Sequence, residues 1–579
     1  MKKRIVSLIL ILCFVFSVLT LASCGKDGDK AETTAAQKTT AAAATKTETA
    51  EATTVATTTD KWEELAGNVT MIAERDRNLK IAIDISRNGV KTSKNDSYVK
   101  GPDSVEDGIT PEIEVMVYER NKAATELFGL TITYDAWSEY YQKQAPKIDT
   151  LVKGNAQDAP DLFICLVYDL NLELLNGTFK DILSLPGSFF DFSTEGWLTT
   201  WMENMSLTGD RAYLLGGDYF LELLRSVMVV PFNMDLMDAN AAKLAPVILN
   251  EGDALGTGEE LTTYFFDLVD EGRWTFDVLG KLCEAIWVDT DGDTADSIGD
   301  QLGILADEYG GKTAVGFIYS CGTPITEEYF IEDESSPYYN RQWIKYADSS
   351  EDAGLNEIFN AVSKVFKGKG SLSTSATHSS NTPEAPGKAY HLTKFAQNEV
   401  LFLGADLLGD LQNDTIEQMT YLFSVVPCPK LTPDKTTTYN TIIDNTGDAG
   451  AINVNSNPRK ARAISAYVQY CTEHSAAIRD EFLQVVTKYK TTTYNQGTDR
   501  MLDIIYEGIL YGRDKAVDDL FGATYRDTRW HDLMKHEDHE GDASYITTQY
   551  ASIVGTKQAR LDENLKTWYT LPKVEPAAE

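Results

Sequence analysis

Between Leu79 and Val167 the chain alternates short apolar segments with longer amphipathic ones, and this alternation restricts the possible folds more than any other feature. It predicts three strands with two helices between them: strands 79–85, 130–134 and 161–167, and helices 111–128 and 137–153. Such a succession is typical of a mostly parallel sheet covered by helices. From Pro458 onward the apolar periodicity is largely helical. The sequence therefore predicts an α/β fold.

The N-terminus has the three parts of a secretion signal, predicted here as residues 1–23. Basic residues at positions 2–4 precede an apolar run from Ile5 to Leu21, and small residues then lead to Cys24. The segment Leu-Ala-Ser-Cys at 21–24 resembles the bacterial lipoprotein box, which implies cleavage before Cys24 and lipidation of its thiol. The alternative is a transmembrane anchor, because the apolar run is close to the shortest that spans a bilayer core of about 30 Å. We expect Cys24 to hold the protein at the extracellular face of the cell membrane.

Residues 24–60 are predicted to form a disordered linker after the lipid. From Ala31 to Thr59 the chain is almost entirely Ala, Thr, Lys and Glu, with no aromatic residue and Val55 as its one larger aliphatic side chain. Such a segment has too little apolar surface to fold. Its length suits a flexible spacer between the membrane and a folded body.

The composition of the chain limits its partners. There are 88 acidic and 52 basic residues, a formal net charge of -36, which argues against nucleic acid as a ligand. About 500 residues remain after the linker, enough for two lobes with full cores. Five cysteines remain besides Cys13 of the signal and Cys24. Widely scattered and mostly within apolar runs, they predict buried free thiols: Cys165, Cys283, Cys321, Cys428 and Cys471.

Seven short segments together carry a resemblance to a known family. They are DAPDL at 158–162, NGTFKDI at 176–182, VVPFNMDL at 229–236, WTFD at 274–277, FAQNEV at 395–400, FSVVPCP at 423–429 and INVNSNP at 452–458. In this order and spacing they resemble the extracellular solute-binding proteins of ABC importers, in the carbohydrate-binding branch. The chain departs from that pattern in an insertion at 87–110, in Asn398 where the family usually has Gly, and in a long tail after residue 475.

The resemblance implies a periplasmic-binding-protein-like fold of two α/β lobes, with a hinge and an interlobe cleft. Lobe one would comprise residues 78–227 and 421–472, and lobe two residues 230–420 and the helical tail 473–579. It further implies a monomeric binding protein, not an enzyme, that captures a carbohydrate, in particular an oligosaccharide, and docks on ABC permease subunits. Two alternatives stay open. One is a surface-anchored glycoside hydrolase, because its two catalytic carboxylates are recognised by their separation in the folded protein and not by a sequence motif. The other is a binding protein for a peptide or other small solute.

Carried over position by position, the resemblance also implies ligand contacts. They would come from the turn after strand 161–167, from the crossover between lobes, and from the turn after 401–403: Tyr168, Asp169, Arg225, Ser226, Gly404 and Asp406. Asp448 in the turn 444–450 and Trp201 as a stacking ring complete the set. The alternative for each is a core or surface residue without ligand contact. Trp197 and Trp201 are four residues apart, a spacing typical of core packing.

The acidic segment 289–300, DTDGDTADSIGD, predicts a structural calcium site; no catalytic cofactor is expected. Asp289, Asp291 and Asp293 occupy positions 1, 3 and 5 of a tight loop, with Ser297 at position 9 and Asp300 at position 12. Oxygen ligands at these positions suit Ca²⁺. Position 6 is Thr294 instead of the usual glycine. The alternative is a solvated acidic turn.

Overall fold

The computed structural model describes residues 61–571, apart from residues 89–90, 308–311, 323, 375–380, 383–384, 387–389, 489–495, 510–511, 522–523, 537–538 and 541. The predicted signal peptide, Cys24 and the linker 24–60 lie outside the described residues. Thr59–Glu579 forms one compact unit. Among the helices described, none is both long and apolar enough to cross a membrane.

The strands are numbered in chain order: β1 Asn78–Asp84, β2 Arg87–Asn88, β3 Lys91–Thr92, β4 Thr131–Trp137, β5 Leu162–Leu166, β6 Met228–Asn233, β7 Leu302–Asp307, β8 Thr326–Phe330, β9 Gln342–Tyr346, β10 Ser371–Thr374, β11 Asn381–Thr382, β12 Ala385–Pro386, β13 Val400–Leu403, β14 Asp406–Leu407, β15 Phe423–Val426, β16 Asp448–Ile452, β17 Lys535–His536 and β18 His539–Glu540.

The α-helices are Lys61–Thr70, Glu112–Phe128, Gln144–Lys153, Val167–Leu174, Thr199–Met205, Leu221–Arg225, Met234–Ala239, Ala241–Ile248, Leu261–Asp270, Phe276–Ile286, Lys312–Ser320, Leu355–Lys367, Tyr390–Ala396, Asp414–Glu417, Pro458–Glu473, Ala476–Lys488, Gln496–Glu507, Arg513–Phe521, Thr524–Asp527 and Ala543–Thr570. Short 3-10 helices span Glu74–Asp76, Leu408–Leu411 and Trp530–Leu533, and a π-helix spans Asp96–Lys100.

The first sheet has the strand order β16-β5-β1-β4. Strand β1 is parallel to both of its neighbours, with Ile81 opposite Tyr134 on one side and Leu162 on the other. Strand β16 runs antiparallel to β5. Because β1, β4 and β5 are parallel, their carboxyl ends meet at one edge of the sheet, and the segments that follow them are brought together there.

The second sheet has the order β10-β7-β13-β6-β14, and β15 also pairs with β6. Strands β10, β7 and β13 are parallel, and β6 is antiparallel to β13, β14 and β15. Strands β7 and β13 are buried along their whole length. This sheet too has a carboxyl edge, from which helix Lys312–Ser320 and the turn before Asp406 emerge.

Three chain segments that run between the two sheets lie side by side. The backbone N–H of Met228 donates to Ile442 O at 2.8 Å, that of Asp444 to Ser226 O at 2.8 Å, and that of Thr441 to Gly508 O at 2.7 Å. Two α/β halves joined by adjacent crossing segments are the predicted two-lobed architecture, and that prediction is confirmed. One boundary moves: residues 423–426 were assigned to the lobe-one segment 421–472, but β15 forms its backbone ladder with β6 of the second sheet.

The WTFD segment begins a helix, and the predicted free thiols are found. Thr275 caps helix Phe276–Ile286, its Oγ1 accepting the Val278 N–H at 3.4 Å. The five cysteines are free: Cys321 is half-buried, and the others are buried.

The helix Lys61–Thr70 is held against helix Pro458–Glu473, which itself packs on β1. The Trp62 ring lies 4.9 Å from that of Tyr470 and 5.3 Å from that of His474. Lys61 Nζ is 2.5 Å from a carboxylate oxygen of Glu473. The first described residues are therefore fastened to the layer of the first sheet.

Asp514 joins the helix Arg513–Phe521 to the start of β8. Its Oδ2 accepts the Ile325 N–H at 3.0 Å and its Oδ1 accepts the Thr326 hydroxyl. Burial raises the pKa of Asp514 from 3.8 to about 6, against the effect of these hydrogen bonds. Because the folded pKa lies above the ordinary value, this group makes the protein less stable as pH rises from about 4 to 6, by about 3 kcal/mol in all.

We therefore expect Asp514→Asn to be more stable than the wild type at pH 7.5 and similar to it at pH 4.5. The amide keeps an acceptor for Ile325 and does not ionise. Thermal melts at both pH values measure this. Asp253→Asn, at an exposed position, is the control, and an equal gain at both pH values would contradict the prediction.

Candidate binding site between the two sheets

Three tyrosines, called here the tyrosine platform, lie where β4 and β5 end. Tyr140 and Tyr141 follow β4, and Tyr168 is in the first turn of helix Val167–Leu174, directly after β5. The ring centroids of Tyr141 and Tyr168 are 4.3 Å apart with a 30° angle between planes, and those of Tyr140 and Tyr141 are 5.9 Å apart at 32°. All three residues are half-buried. Partly exposed, nearly aligned rings offer flat apolar area at low entropic cost.

The loop that carries Tyr141 has an unusual backbone. Tyr141 and Gln142 have φ angles of 31° and 64°, a region that non-glycine residues rarely adopt and that is often found at functional sites. The buried carboxylate of Asp169 holds this loop by accepting the N–H groups of Gln142 at 3.1 Å and Ala145 at 2.9 Å. Burial raises the pKa of Asp169, and these hydrogen bonds oppose the rise. Asp169, predicted as a ligand contact, therefore positions the platform.

The same loop corrects the predicted helix 137–153. Strand β4 continues to Trp137, which pairs with Asp84 of β1. The helix begins only at Gln144, since positive φ angles at Tyr141 and Gln142 are incompatible with a right-handed helix. Tyr140 and Tyr141 thus lie in a loop at the sheet edge.

Asp448 lies at the same edge, at the start of β16. It is buried, and its Oδ2 accepts the Ser93 hydroxyl at 2.8 Å and the Asn95 side-chain amide at 2.9 Å. Asn95 also donates to the backbone oxygen of Asp84, and Ser93 Oγ lies 2.8 Å from that oxygen. Asp448 therefore fixes the segment that follows β1.

Arg225 and Ser226 enter the crossover, as predicted. The buried guanidinium of Arg225 contacts Glu222 at 2.8 and 3.1 Å, and reaches Gln412 Oε1 at 3.1 Å and Gly409 O at 3.3 Å. Arg225 therefore connects the crossover with the segment after β14. The Ser226 hydroxyl is buried and has no hydrogen-bond partner among the described residues.

The predicted residues of lobe two lie at the edge of the second sheet. Asp406 is 3.0 Å from His391 Nε2 and 3.5 Å from Lys312 Nζ, which in turn is 2.6 Å from Asp410. Although burial opposes it, Lys312 and His391 hold the pKa of Asp406 below its usual range. Gly404 allows close packing, because a Cβ there would lie 2.3 Å from Thr313 Oγ1.

Trp201 lies in the core. It is fully buried, and a Cβ on Gly216 would lie 2.6 Å from its ring. The structure therefore does not bring Trp201 to the tyrosine platform as a partly exposed ring.

The C-terminal tail also reaches the platform. The Tyr168 N–H donates to Asn445 O at 2.9 Å, and the Asn445 side chain donates to Asp519 Oδ1 at 2.9 Å. Lys515 Nζ contacts both carboxylate oxygens of Asp519, at 2.7 and 2.6 Å. Arg526 interacts with the Tyr141 hydroxyl. The sequence prediction missed these tail residues because their contacts join positions far apart in the chain.

Asp444, an acidic residue of the crossing segment, is affected by cations of both the tail and the second sheet. Although desolvation opposes it, Lys515 and, to a lesser degree, Lys312 hold the pKa of Asp444 below its usual range. The tyrosine platform, Arg225, Lys312 and Arg526, which lie at the two sheet edges and around the crossing segments, are together called here the interlobe site.

The predicted calcium loop, residues 289–300, includes none of the residues of the interlobe site. Ligand oxygens of Asp289, Asp291 and Asp293 lie within 4.8 Å of one another, and Thr294 takes the left-handed turn at φ 66°. Ser297 donates to Asp291 at 3.3 Å. Asp300 is buried, and its two oxygens accept the N–H groups of Thr290 and Ser297 at 2.8 and 2.9 Å. Three of the five predicted residues therefore converge, and Asp300 closes the loop.

Neither a protein-family model nor a curated protein matches this chain. Among solved structures, it is similar to an ABC substrate-binding protein from Listeria monocytogenes in complex with cycloalternan: 14% identity, 85% of this chain and 97% of that chain covered, TM-score 0.38. It is also similar to the galacto-N-biose-/lacto-N-biose I-binding protein of Bifidobacterium longum, at 12% identity, 85% and 97% coverage and TM-score 0.43. A third similar structure is UgpB from Mycobacterium tuberculosis in complex with glycerophosphocholine, at 14% identity, with 78% of this chain and 96% of that chain covered and a TM-score of 0.45.

Proposed function

We propose that this chain is a lipid-anchored extracellular binding protein that captures an oligosaccharide between its two lobes and delivers it to an ABC importer. The tyrosine platform is the observation that carries the proposal. Sugar rings present C–H faces that aromatic rings cover, and hydroxyl groups that charged and amide side chains pair. Both kinds of group occur at the interlobe site.

The architecture supports capture by closure. Groups of the first sheet, of the second sheet and of the tail surround the crossing segments, which are adjacent to one another at Met228, Thr441 and Asp444. Movement about such crossings changes the distance between the two halves of a site while each half keeps its shape. Anchoring through Cys24 and docking on permease subunits follow from the sequence features at the N-terminus and from the family resemblance.

A panel of oligosaccharides tests the proposal. The mature chain is mixed with gluco-, galacto-, xylo- and manno-oligosaccharides and with short peptides, and its melting temperature and binding isotherms are measured. Chromatography of the same mixtures detects products. We expect at least one oligosaccharide to raise the melting temperature without being cleaved. Release of shorter sugars would favour the glycoside hydrolase, and a response to peptides alone would favour the peptide-binding alternative.

We further propose that the loop 289–300 binds Ca²⁺ through Asp289, Asp291 and Asp293, where the ion would stabilise lobe two. Hard carboxylate oxygens suit Ca²⁺. We expect 1 mM Ca²⁺ to raise the melting temperature above that in a chelator by at least a few degrees, since an ion that binds the folded state alone stabilises it. Asp291→Asn should abolish the difference, whereas Asp333→Asn, in another exposed acidic turn, should retain it. Equal melting temperatures with and without Ca²⁺ would contradict this proposal.

A further inference from the structure

The cations of the interlobe site differ in whether they have a carboxylate partner. Arg225 contacts Glu222, Lys312 contacts Asp410, and Lys515 contacts Asp519 at 2.6 to 2.8 Å. Each of these cations is matched by a carboxylate within the protein, and Asp406 beside Lys312 and Asp444 near Lys515 add further negative charge, so these groups offer an anionic ligand no net attraction. Lys94 and Arg526 differ from them.

Lys94 lies in the segment that follows β1, and it is half-buried. Its backbone N–H donates to Glu222 at 2.7 Å, but within the described part of the chain its ammonium group has no carboxylate within 4.0 Å. Burial and the neighbouring Arg225 lower the pKa of Lys94, although Glu222, Glu417 and Asp96 act in the opposite direction. A half-buried ammonium beside a guanidinium is stabilised when an anion approaches it.

Arg526 is exposed on the short helix Thr524–Asp527 and interacts with Tyr141 of the tyrosine platform. Over the residues described, no carboxylate lies within 4.0 Å of its guanidinium. The nearby Asp519 is already paired with Lys515 and Asn445, and Asp527 is paired with Lys557. Its partners are the side chains of Tyr141 and Tyr525, which are neutral, and a guanidinium matches the two oxygens of a carboxylate.

We propose that the ligand is an acidic oligosaccharide containing uronic acid residues, whose carboxylates are bound by Lys94 and Arg526 while the tyrosine platform covers the sugar rings. This rests on the proposed function of the site. A uronic acid combines the two features that the site offers to a ligand, an apolar C–H face and a carboxylate on the same ring.

The net charge of -36 opposes an anionic ligand only at long range. At 0.15 M ionic strength charges are screened beyond about 8 Å, so the cations that touch the ligand dominate the local field. The preference for acidic sugars should therefore persist at physiological salt and decrease at 1 M NaCl.

The test compares each acidic oligosaccharide with its own methyl ester, which has the same sugar rings without the charge. Oligogalacturonate, oligomannuronate and oligoglucuronate, with their esters and neutral oligosaccharides, are titrated into the mature chain at 0.15 M NaCl. We expect at least one acid to bind ten-fold or more tightly than its ester, because hydrogen bonds to charged groups are stronger than neutral ones. Esters or neutral sugars that bind as tightly as the acids would overturn the inference and leave the proposed function intact. Failure of every carbohydrate to bind would overturn both.

Single substitutions test which residues cause the preference for the acid over its ester. Lys94→Gln and Arg526→Gln should each remove most of the ratio between acid and ester, while Lys122→Gln and Arg560→Gln, which remove exposed cations elsewhere, should preserve it. Arg526 is exposed, so its variant is expected to fold even if Lys94→Gln does not. An unchanged ratio in Arg526→Gln would contradict the assignment of this residue.

Discussion

Replacing both Tyr141 and Tyr168 by alanine is expected to weaken oligosaccharide binding about a hundred-fold. Each ring that covers roughly 50 to 60 Å² of sugar C–H surface contributes about 1.4 kcal/mol at about 25 cal/mol per Å², which is a factor of ten. The two rings are in contact, with centroids 4.3 Å apart, so the loss of one also alters the position of the other and the double variant is measured as a unit. Isothermal titration with the best ligand of the panel measures the effect.

The controls separate ring contact from hydrogen bonding and from folding. Tyr168→Phe keeps the ring and loses the hydroxyl that accepts from Gln142 at 3.2 Å, so it should retain most of the affinity. Tyr545→Ala removes a tyrosine that is 37% exposed on helix Ala543–Thr570 and should have no effect on binding. An unliganded melting temperature far below that of the wild type would show that the double variant is misfolded. Full affinity in a folded double variant would contradict the platform's role.

Replacing Lys515 by methionine is expected to lower the free energy of unfolding by about 3 to 5 kcal/mol. The side chains of Lys515 and Asp519 are both 0% exposed, and their charged atoms are 2.6 Å apart. Burial and the nearby Asp444 raise the pKa of Asp519 well above its usual range, so without the lysine its charged form is strongly disfavoured, and an unpaired buried charge costs about that much. Thermal and urea denaturation measure the loss.

The double variant Lys515→Met/Asp519→Leu should recover at least half of this loss, because a buried ion pair can be exchanged for apolar side chains at little net cost. Lys566→Met is the matched control: its partner Glu563 is at a similar distance, 2.7 Å, but the side chains are 45% and 74% exposed. We expect a change below about 1 kcal/mol there. A loss at Lys515 no larger than at Lys566 would refute the prediction.

The strands of the first sheet could be predicted because their burial leaves a continuous apolar pattern. Strand β5, Leu162–Leu166, is buried at every position, and strand β1 at most of its positions. The end of β4 could not be predicted, since the unusual φ angles of Tyr141 and Gln142 occur in residues that carry no turn signal of the kind Gly, Asn or Pro provide. The two platform tyrosines in this loop were therefore assigned to a helix.

The roles of site residues were harder to predict than their positions. Tyr168, Arg225 and Asp406 lie at the sheet edges where the resemblance placed them. Asp169 lies there as well, but its oxygens are occupied by N–H groups 24 and 27 residues earlier in the chain. Arg526 is 385 residues from Tyr141, and a contact of that kind leaves no trace in local periodicity. Position along a strand is a local property, whereas the partner of a side chain depends on the whole fold.

The N-terminal helix Lys61–Thr70 determines how a mechanical load enters the molecule. The Trp62 ring packs against the rings of Tyr470 and His474, and Lys61 is paired with Glu473. A pull arriving from the preceding chain would therefore pass into helix Pro458–Glu473 and the first sheet behind it. Over the described residues, this helix packs mainly on helices Glu112–Phe128 and Pro458–Glu473. With the proposed anchor at Cys24, the first sheet would be the half joined to the membrane, and the second sheet would be joined to it through the crossing segments.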